Sequence, residues 1–158
     1  MKIVIAADSF KDALPAQQVC NAIADGIRKV QPNAELVIFP LTDGGEGLAD
    51  VFAHHLGGSV VQMTAYDPLG RDVACQYILS ANGEKAFIEM AQASGLQRLS
   101  EEERNPMLTS TYGTGQMIAH ALNSGVRHIL LGLGGSATND AGMGMAAALG
   151  YEFHTAQG

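Results

Sequence analysis

Apolar positions along the chain fall into short runs separated by glycine and polar clusters, and the spacing inside each run predicts its conformation. Lys2 to Ala7 (KIVIAA) is an unbroken, branched apolar run of the kind a buried parallel strand requires, and it stops at Asp8, Ser9 and Lys11. Val19, Cys20, Ile23, Ile27 and Val30 then recur at helical spacing; Pro15 suits a first turn and Gln31-Pro32-Asn33 ends the pattern. Glu35 to Leu41 (ELVIFPL) predicts a second strand, broken by Thr42-Asp43-Gly44-Gly45-Glu46-Gly47, after which Leu48, Val51, Phe52 and Leu56 mark a helix closed by Gly57-Gly58. The order is β-α-β-α, with polar loops leaving both strands at their C-terminal ends, where parallel sheets bind ligands.

After Ser59 the texture changes. SVVQMTAYDP, DVACQYIL and KAFIEMA read as three successive strands with turns at Asp67 to Gly70 and Ser80 to Gly83, a meander rather than crossovers, so a domain boundary is expected near residue 62. Ser100-Glu101-Glu102-Glu103 predicts a capping box for a short helix that stops at Asn105-Pro106. Met117, Ile118, Ala121 and Leu122 form a further helical stripe from Thr114, His128 to Leu133 a strand, and Ala141 to Leu149 a helix of small residues. Tyr151-Glu152-Phe153 is expected to begin another strand.

Composition narrows the function. A chain of 158 residues with 47% hydrophobic and 16% charged side chains can bury a core, which excludes intrinsic disorder. Nineteen glycines are nearly double the usual share of about 7%, and they gather at the ends of apolar runs, where turns and ligand-approaching backbone sit. The net charge of −7 argues against a nucleic-acid or anionic-membrane partner. An anionic substrate would need a local nest of N–H groups, a lysine or a metal ion. Cys20 and Cys75 lack the spacing of a metal or redox pair and are expected to be reduced thiols; with no apolar run long enough for a membrane and no signal peptide before Met1, a cytoplasmic protein is expected.

Four loops carry candidate chemistry. Asp8-Ser9-Phe10-Lys11 aims a carboxylate, a hydroxyl and a cation into a cleft, or else Asp8 or Ser9 simply caps the next turn. Asp43-Gly44-Gly45-Glu46-Gly47 places glycines around two carboxylates, suiting close ligand approach or a divalent metal with oxygen ligands, against the alternative of an ordinary turn. Gly132 to Gly144 (GLGGSATNDAGMG) offers N–H and hydroxyl donors at a helix start, a ready anion site. It also fits the dinucleotide pattern G-x-G-x-x-A with Glu152 twenty residues after Gly132, which would make the protein an NAD-dependent oxidoreductase; Asp140, however, suits a magnesium-bound triphosphate better than a bare pyrophosphate. Thr109 to Gly115 is a second hydroxyl-rich loop entering a helix, where Thr111 or Thr114 could cap. Glu89, in an apolar strand, is either paired or functional. The five histidines show no ligand spacing.

Taken in order, KIVIAADSFKDAL, LTDGGEG, DPLG, FIEMAQASGL, TSTYGTG and GLGGSATNDAGMGMAAALG resemble the glycerate kinase family of bacterial type, from Met1 to about Gly150. Ala7 stands where that family usually has proline and Ala13 where it commonly has serine. The resemblance implies an α/β fold of two α/β domains, the first with a parallel Rossmann- or flavodoxin-like sheet and the second inserted into it with a mixed sheet. This chain would cover residues 1–62 of the first and 63–158 of the second, each in part, so that residues 1–158 alone are expected to self-associate and to lack turnover, a non-catalytic fragment being one alternative. The implied activity is ATP- and Mg2+-dependent phosphorylation of D-glycerate, expected at the 2-position, with glycerate as the small-molecule partner and a homo-oligomer left open. The implied site has Asp8, Lys11 and Asp43 as catalytic residues and Ser9, Ser110 and Thr114 on the substrate. Gly134, Gly135, Ser136, Thr138 and Asn139 would hold the ATP phosphates, with Asp43, Glu46 and Asp140 on the metal.

Overall fold

The computed structural model describes residues 1–10, 13–45 and 47–155. Lys11 and Glu46, both expected at the site, lie outside the described residues. The α/β order matches the expectation. Strand β1 (Lys2–Ile5) pairs in parallel with β2 (Glu35–Ile38), in register Lys2 with Glu35 through Ile5 with Ile38, and α1 (Ala16–Val30) crosses between them. The apolar stripe of α1 buries Cys20 and Ala24 against Ile5, with Ile3, Ile27, Leu36 and Ile38 around them, and Val19 is buried as well. Val4, Phe39 and Leu41 point from this sheet to solvent.

Helix α2 (Leu48–Leu56) follows, then a four-stranded mixed sheet in the order β3 (Ser59–Tyr66), β4 (Asp72–Leu79), β5 (Lys85–Glu89), β6 (His128–Gly132). The meander is confirmed: β3, β4 and β5 are antiparallel neighbours, and only β6, after the helical excursion, runs parallel to β5. That excursion holds α3 (Ala91–Ser94), two 3-10 turns, the second with the expected Ser100–Glu103 capping box, and α4 (Tyr112–Asn123). Helix α5 (Met143–Ala148) follows β6. The period of two sends alternate residues to opposite faces. Cys75, Tyr77, Ala86 and Ile88 pack under Met117 and Ala121 of α4, while Ile78 and Phe87 face Ala49 and Phe52 of α2. Phe52 stacks on Phe87 with ring centroids 4.3 Å apart.

Helix α2 packs on the second sheet, and residue 62 lies within β3. Two strand bounds differ from the sequence reading. Regular β2 ends at Ile38, short of the expected Leu41, although single parallel bonds continue from the Phe39 N–H to the Ile5 carbonyl and from the Leu41 N–H to the Ala7 carbonyl. Tyr151 to Phe153 form no strand and are exposed, since no neighbouring strand among the described residues offers them a ladder.

Candidate active site

Parallel pairing of β1 and β2 sets the ends of the two strands side by side, and the loops that leave them meet. The Asp8 carboxylate accepts from the Ser9 N–H through Oδ1 (2.6 Å) and from the Asp43 N–H through Oδ2 (3.2 Å). Asp43 in turn accepts from the Gly45 N–H at 2.9 Å, and Thr42 Oγ1 from the Gly44 N–H at 3.1 Å. Asp8 is half-buried and Asp43 exposed. Each carboxylate keeps lone pairs after these bonds, and carboxylate oxygens are the hard donors that Mg2+ takes. Among the described residues no three His, Cys, Asp or Glu side chains gather as a metal cage.

The Asp43 loop does not stand alone. It lies against the loop after β6, backbone on backbone: a Cβ on Gly134 would collide with Gly45 Cα, and one on Gly132 would meet the Gly44 carbonyl and a Leu48 methyl at 2.6 Å. This is the physical use of glycine in both segments. Beyond the contact, the N–H groups of Gly134, Gly135 and Ser136 donate to no protein group among the described residues. Their chain is held from behind, where Leu96 N–H donates to the Gly135 carbonyl and Ala137 N–H to the Ser94 carbonyl. Ser136 and Thr138 bond each other through their hydroxyls at 2.9 Å, forming a local turn, and Asn139 is exposed. A cleft of about 710 Å3 opens beside the Asp8 loop, between the start of α1, α2 and the second sheet, with Ser9, Phe10, Asp50, Gln76, Glu89 and Gln92 among its walls.

Two expected site residues are engaged by neighbouring groups. Thr114 is fully buried and its hydroxyl bonds Ser94 Oγ at 2.7 Å. Asp140 accepts from Thr111 N–H and Thr111 Oγ1 (both 2.8 Å to Oδ2), and from Gly142 and Gly144 N–H (both 3.1 Å). Ser110 Oγ stands 3.5 Å from the same carboxylate and accepts from the Tyr112 N–H, tying that residue to this cluster. The starts of α4 and α5 therefore share one carboxylate as their cap. Burial works to raise the Asp140 carboxyl, but the donors of Thr111, Gly144 and Gly142 outweigh it and hold the group below the ordinary aspartate range. Ala141, with φ 52°, turns the chain so that the two glycine N–H groups can face it.

The dinucleotide reading loses its geometry. Its fingerprint needs a tight strand-to-helix turn and an acidic residue ending the next strand, whereas here residues 133–142 separate β6 from α5 and Glu152 lies in no strand. The sequence reading named Thr111, which bridges Asp140 and the Met145 N–H, only as a possible cap, and it left out Ser94, the partner of Thr114. The TSTYGTG pattern offered several hydroxyls without ranking them, and nothing local marked Ser94.

The profile described as the glycerate kinase family matches residues 3–158. A glycerate kinase of Bacillus cereus is 48% identical over all of this chain, and the glycerate 2-kinase of Escherichia coli is 45% identical. In each case the chain spans 42% of the relative's length. A crystal structure titled as a glycerate kinase 2 of Salmonella typhimurium LT2 superposes with a TM-score of 0.86 at 47% identity, covering all of this chain and 42% of that one. By profile, identity and fold, this chain belongs to the glycerate kinase family.

Proposed function

We propose that residues 1–158 form one wall of a site in which the terminal phosphoryl group of ATP passes to D-glycerate, giving 2-phosphoglycerate and ADP. The observation that carries the reading is the meeting of the Asp43 loop, whose Asp43 N–H is held by the Asp8 carboxylate, with the Gly134–Ser136 loop, whose N–H groups are open, in a chain of this family. Phosphoryl transfer asks a protein chiefly for positioning and charge stabilisation. The open N–H groups of Gly134, Gly135 and Ser136 would cradle phosphate oxygens, with Thr138 and Asn139 at the rim, as backbone nests do. Asp8 and Asp43 would hold Mg2+, whose part is to neutralise phosphate charge, and Glu46 and Lys11 belong to the same two loops. Asp43, the more exposed of the pair, is the carboxylate proposed to orient and deprotonate the attacking hydroxyl; Ser9 and Ser110 would contact the substrate. Thr114 and Asp140 are left out, because the core and the shared cap occupy them.

The test is ADP release from Mg·ATP with and without D-glycerate. It is run on residues 1–158 and on a chain of the relatives' length containing them, and the product is passed directly to enolase, which accepts 2-phosphoglycerate. Glycerate-dependent ADP release with immediate enolase turnover supports the reading. Glycerate-independent ADP release, or a product that enolase ignores until a mutase is added, overturns the activity or the position of transfer respectively.

A further inference from the structure

We propose that Glu89 is a positioning residue that holds the Asp43 loop in its working place by capping α2 from the other sheet; the inference rests on the kinase reading above. Helix α2 begins without a cap of its own. Its N-cap is Gly47, at φ 83°, and a glycine has no side chain to accept from the first helical N–H groups. The missing acceptor comes from forty residues away. Glu89, the last residue of β5 and only 6% exposed, takes the Ala49 N–H on Oε1 at 2.8 Å. A buried carboxylate facing a helix start is favoured by the partial positive charge of that end as well as by the bond.

What makes this more than a cap is the segment it fixes. The loop carrying Asp43 enters from the first sheet, where Asp43 N–H is held by Asp8, and it leaves through Gly47 into α2. Glu89 fixes the leaving end. Beside Glu89 in the ladder is Gly132, whose bare backbone admits Gly44 and Leu48 on the same side. The second sheet therefore grips the segment at Gly44 and at Ala49, and the grip also sets the distance from Asp43 to the Gly134 loop. Glu89 lines the cleft wall as well. Loss of the carboxylate would free the exit of the loop while leaving Asp8 and Asp43 chemically intact. For a reaction that depends on alignment, a displacement of about 1 Å can cost on the order of 100-fold.

Glu89→Gln keeps an oxygen acceptor for the Ala49 N–H and removes the charge; Glu89→Ala removes both. On a chain of the relatives' length containing residues 1–158, amide hydrogen exchange reads the grip directly, and steady-state kinetics with Mg·ATP and D-glycerate read its consequence. The expected order is wild type, Gln, Ala. Exchange in peptides covering residues 42–50 should rise about 3-fold and then 10-fold or more, with α4 and β3–β4 unchanged. The rate constant kcat should fall about 10-fold and then 100-fold, with both KM values within 2-fold. Exchange unchanged at 42–50, exchange raised uniformly over the whole second sheet, or KM rising with kcat constant would each overturn the proposal. Should the wild-type protein show no glycerate-dependent turnover, the kinase reading falls, and the exchange pattern alone decides whether Glu89 holds the loop.

Discussion

Replacing Asp140 by alanine would remove the acceptor on which two helix starts converge. The structure sets the size of the loss. Thr111 N–H at the head of α4, and Gly142 and Gly144 N–H at the head of α5, all lose their acceptor, and the Thr111 hydroxyl loses one as well. A single N-cap is worth about 0.5–2 kcal/mol, so two shared by one side chain, with partial rescue by water at this half-buried position, give about 2–4 kcal/mol. Against a net stability of about 5–15 kcal/mol that is a large fraction. With a urea m-value of about 2 kcal/mol/M the midpoint should fall by about 1–2 M, followed by far-UV circular dichroism. Asp140→Asn, which turns an amide NH2 toward several donors, should lose at least half as much. The pH dependence has a definite sign. The folded-state carboxyl lies below its ordinary value, so its contribution is complete above the unfolded value near about 4 and is lost as pH falls through the lower folded one. The wild-type and Asn curves should therefore converge on acidification and stay parallel from pH 5 to 8. A midpoint shift under about 0.25 M for the alanine variant, accompanied by weakened Mg2+ binding, would show that Asp140 is a metal ligand after all and that the cap argument is wrong.

Further outcomes follow from other parts of the molecule. Lys11→Ala and Asp43→Asn should each lower kcat/KM for glycerate phosphorylation by about 100-fold or more with thermal unfolding unchanged within a few degrees; unaltered kinetics would remove the residue from the site. Gly113→Ala should destabilise by about 3 kcal/mol or more, since the added methyl would run into the Tyr66 carbonyl beneath α4, and a near-neutral urea midpoint would contradict that packing. Both cysteines are free and buried, and burial pushes the Cys75 thiol up, so neither should react with a disulfide reagent at pH 8 before denaturant is added; rapid native labelling would refute the core assignment.

The sequence showed most of the scaffold and less of the site, for a reason visible in particular residues. Periodicity marks which positions are apolar, and so the helix at Val19, Cys20 and Ile27 and the meander from Ser59 to Glu89 were readable. It does not say which surface an element meets. Helix α2 carries an apolar stripe that would serve either sheet, and only the tertiary arrangement gives Phe52 to Phe87. Likewise a carboxylate among glycines looks alike as metal ligand or as cap: Asp43 and Asp140 have similar neighbours, but Asp43 accepts from the Gly45 N–H, whereas Asp140 accepts from the N–H groups of Thr111, Gly142 and Gly144 and from the Thr111 hydroxyl. Thr114 looked available because hydroxyls in a loop-to-helix motif usually are; its partner Ser94 is 20 residues upstream with no local signal. Glu89 was recognisable as out of place in an apolar strand, though its partner could not be read, since Ala49 offers an N–H and no side-chain clue.

The bare contact between Gly45 and Gly134 has a mechanical consequence. Side chains between two packed segments act as a cushion: they change rotamer, and part of any displacement is absorbed before it crosses. Here two main chains touch with no such layer, and close-packed backbone is nearly incompressible. A push on the Gly134 loop, such as the tightening of its N–H groups around an anion, must be passed to the Asp43 loop almost undiminished. The two halves of the proposed site would then move as a lever rather than as independent flaps, so that occupancy of one is felt as a shift in the other.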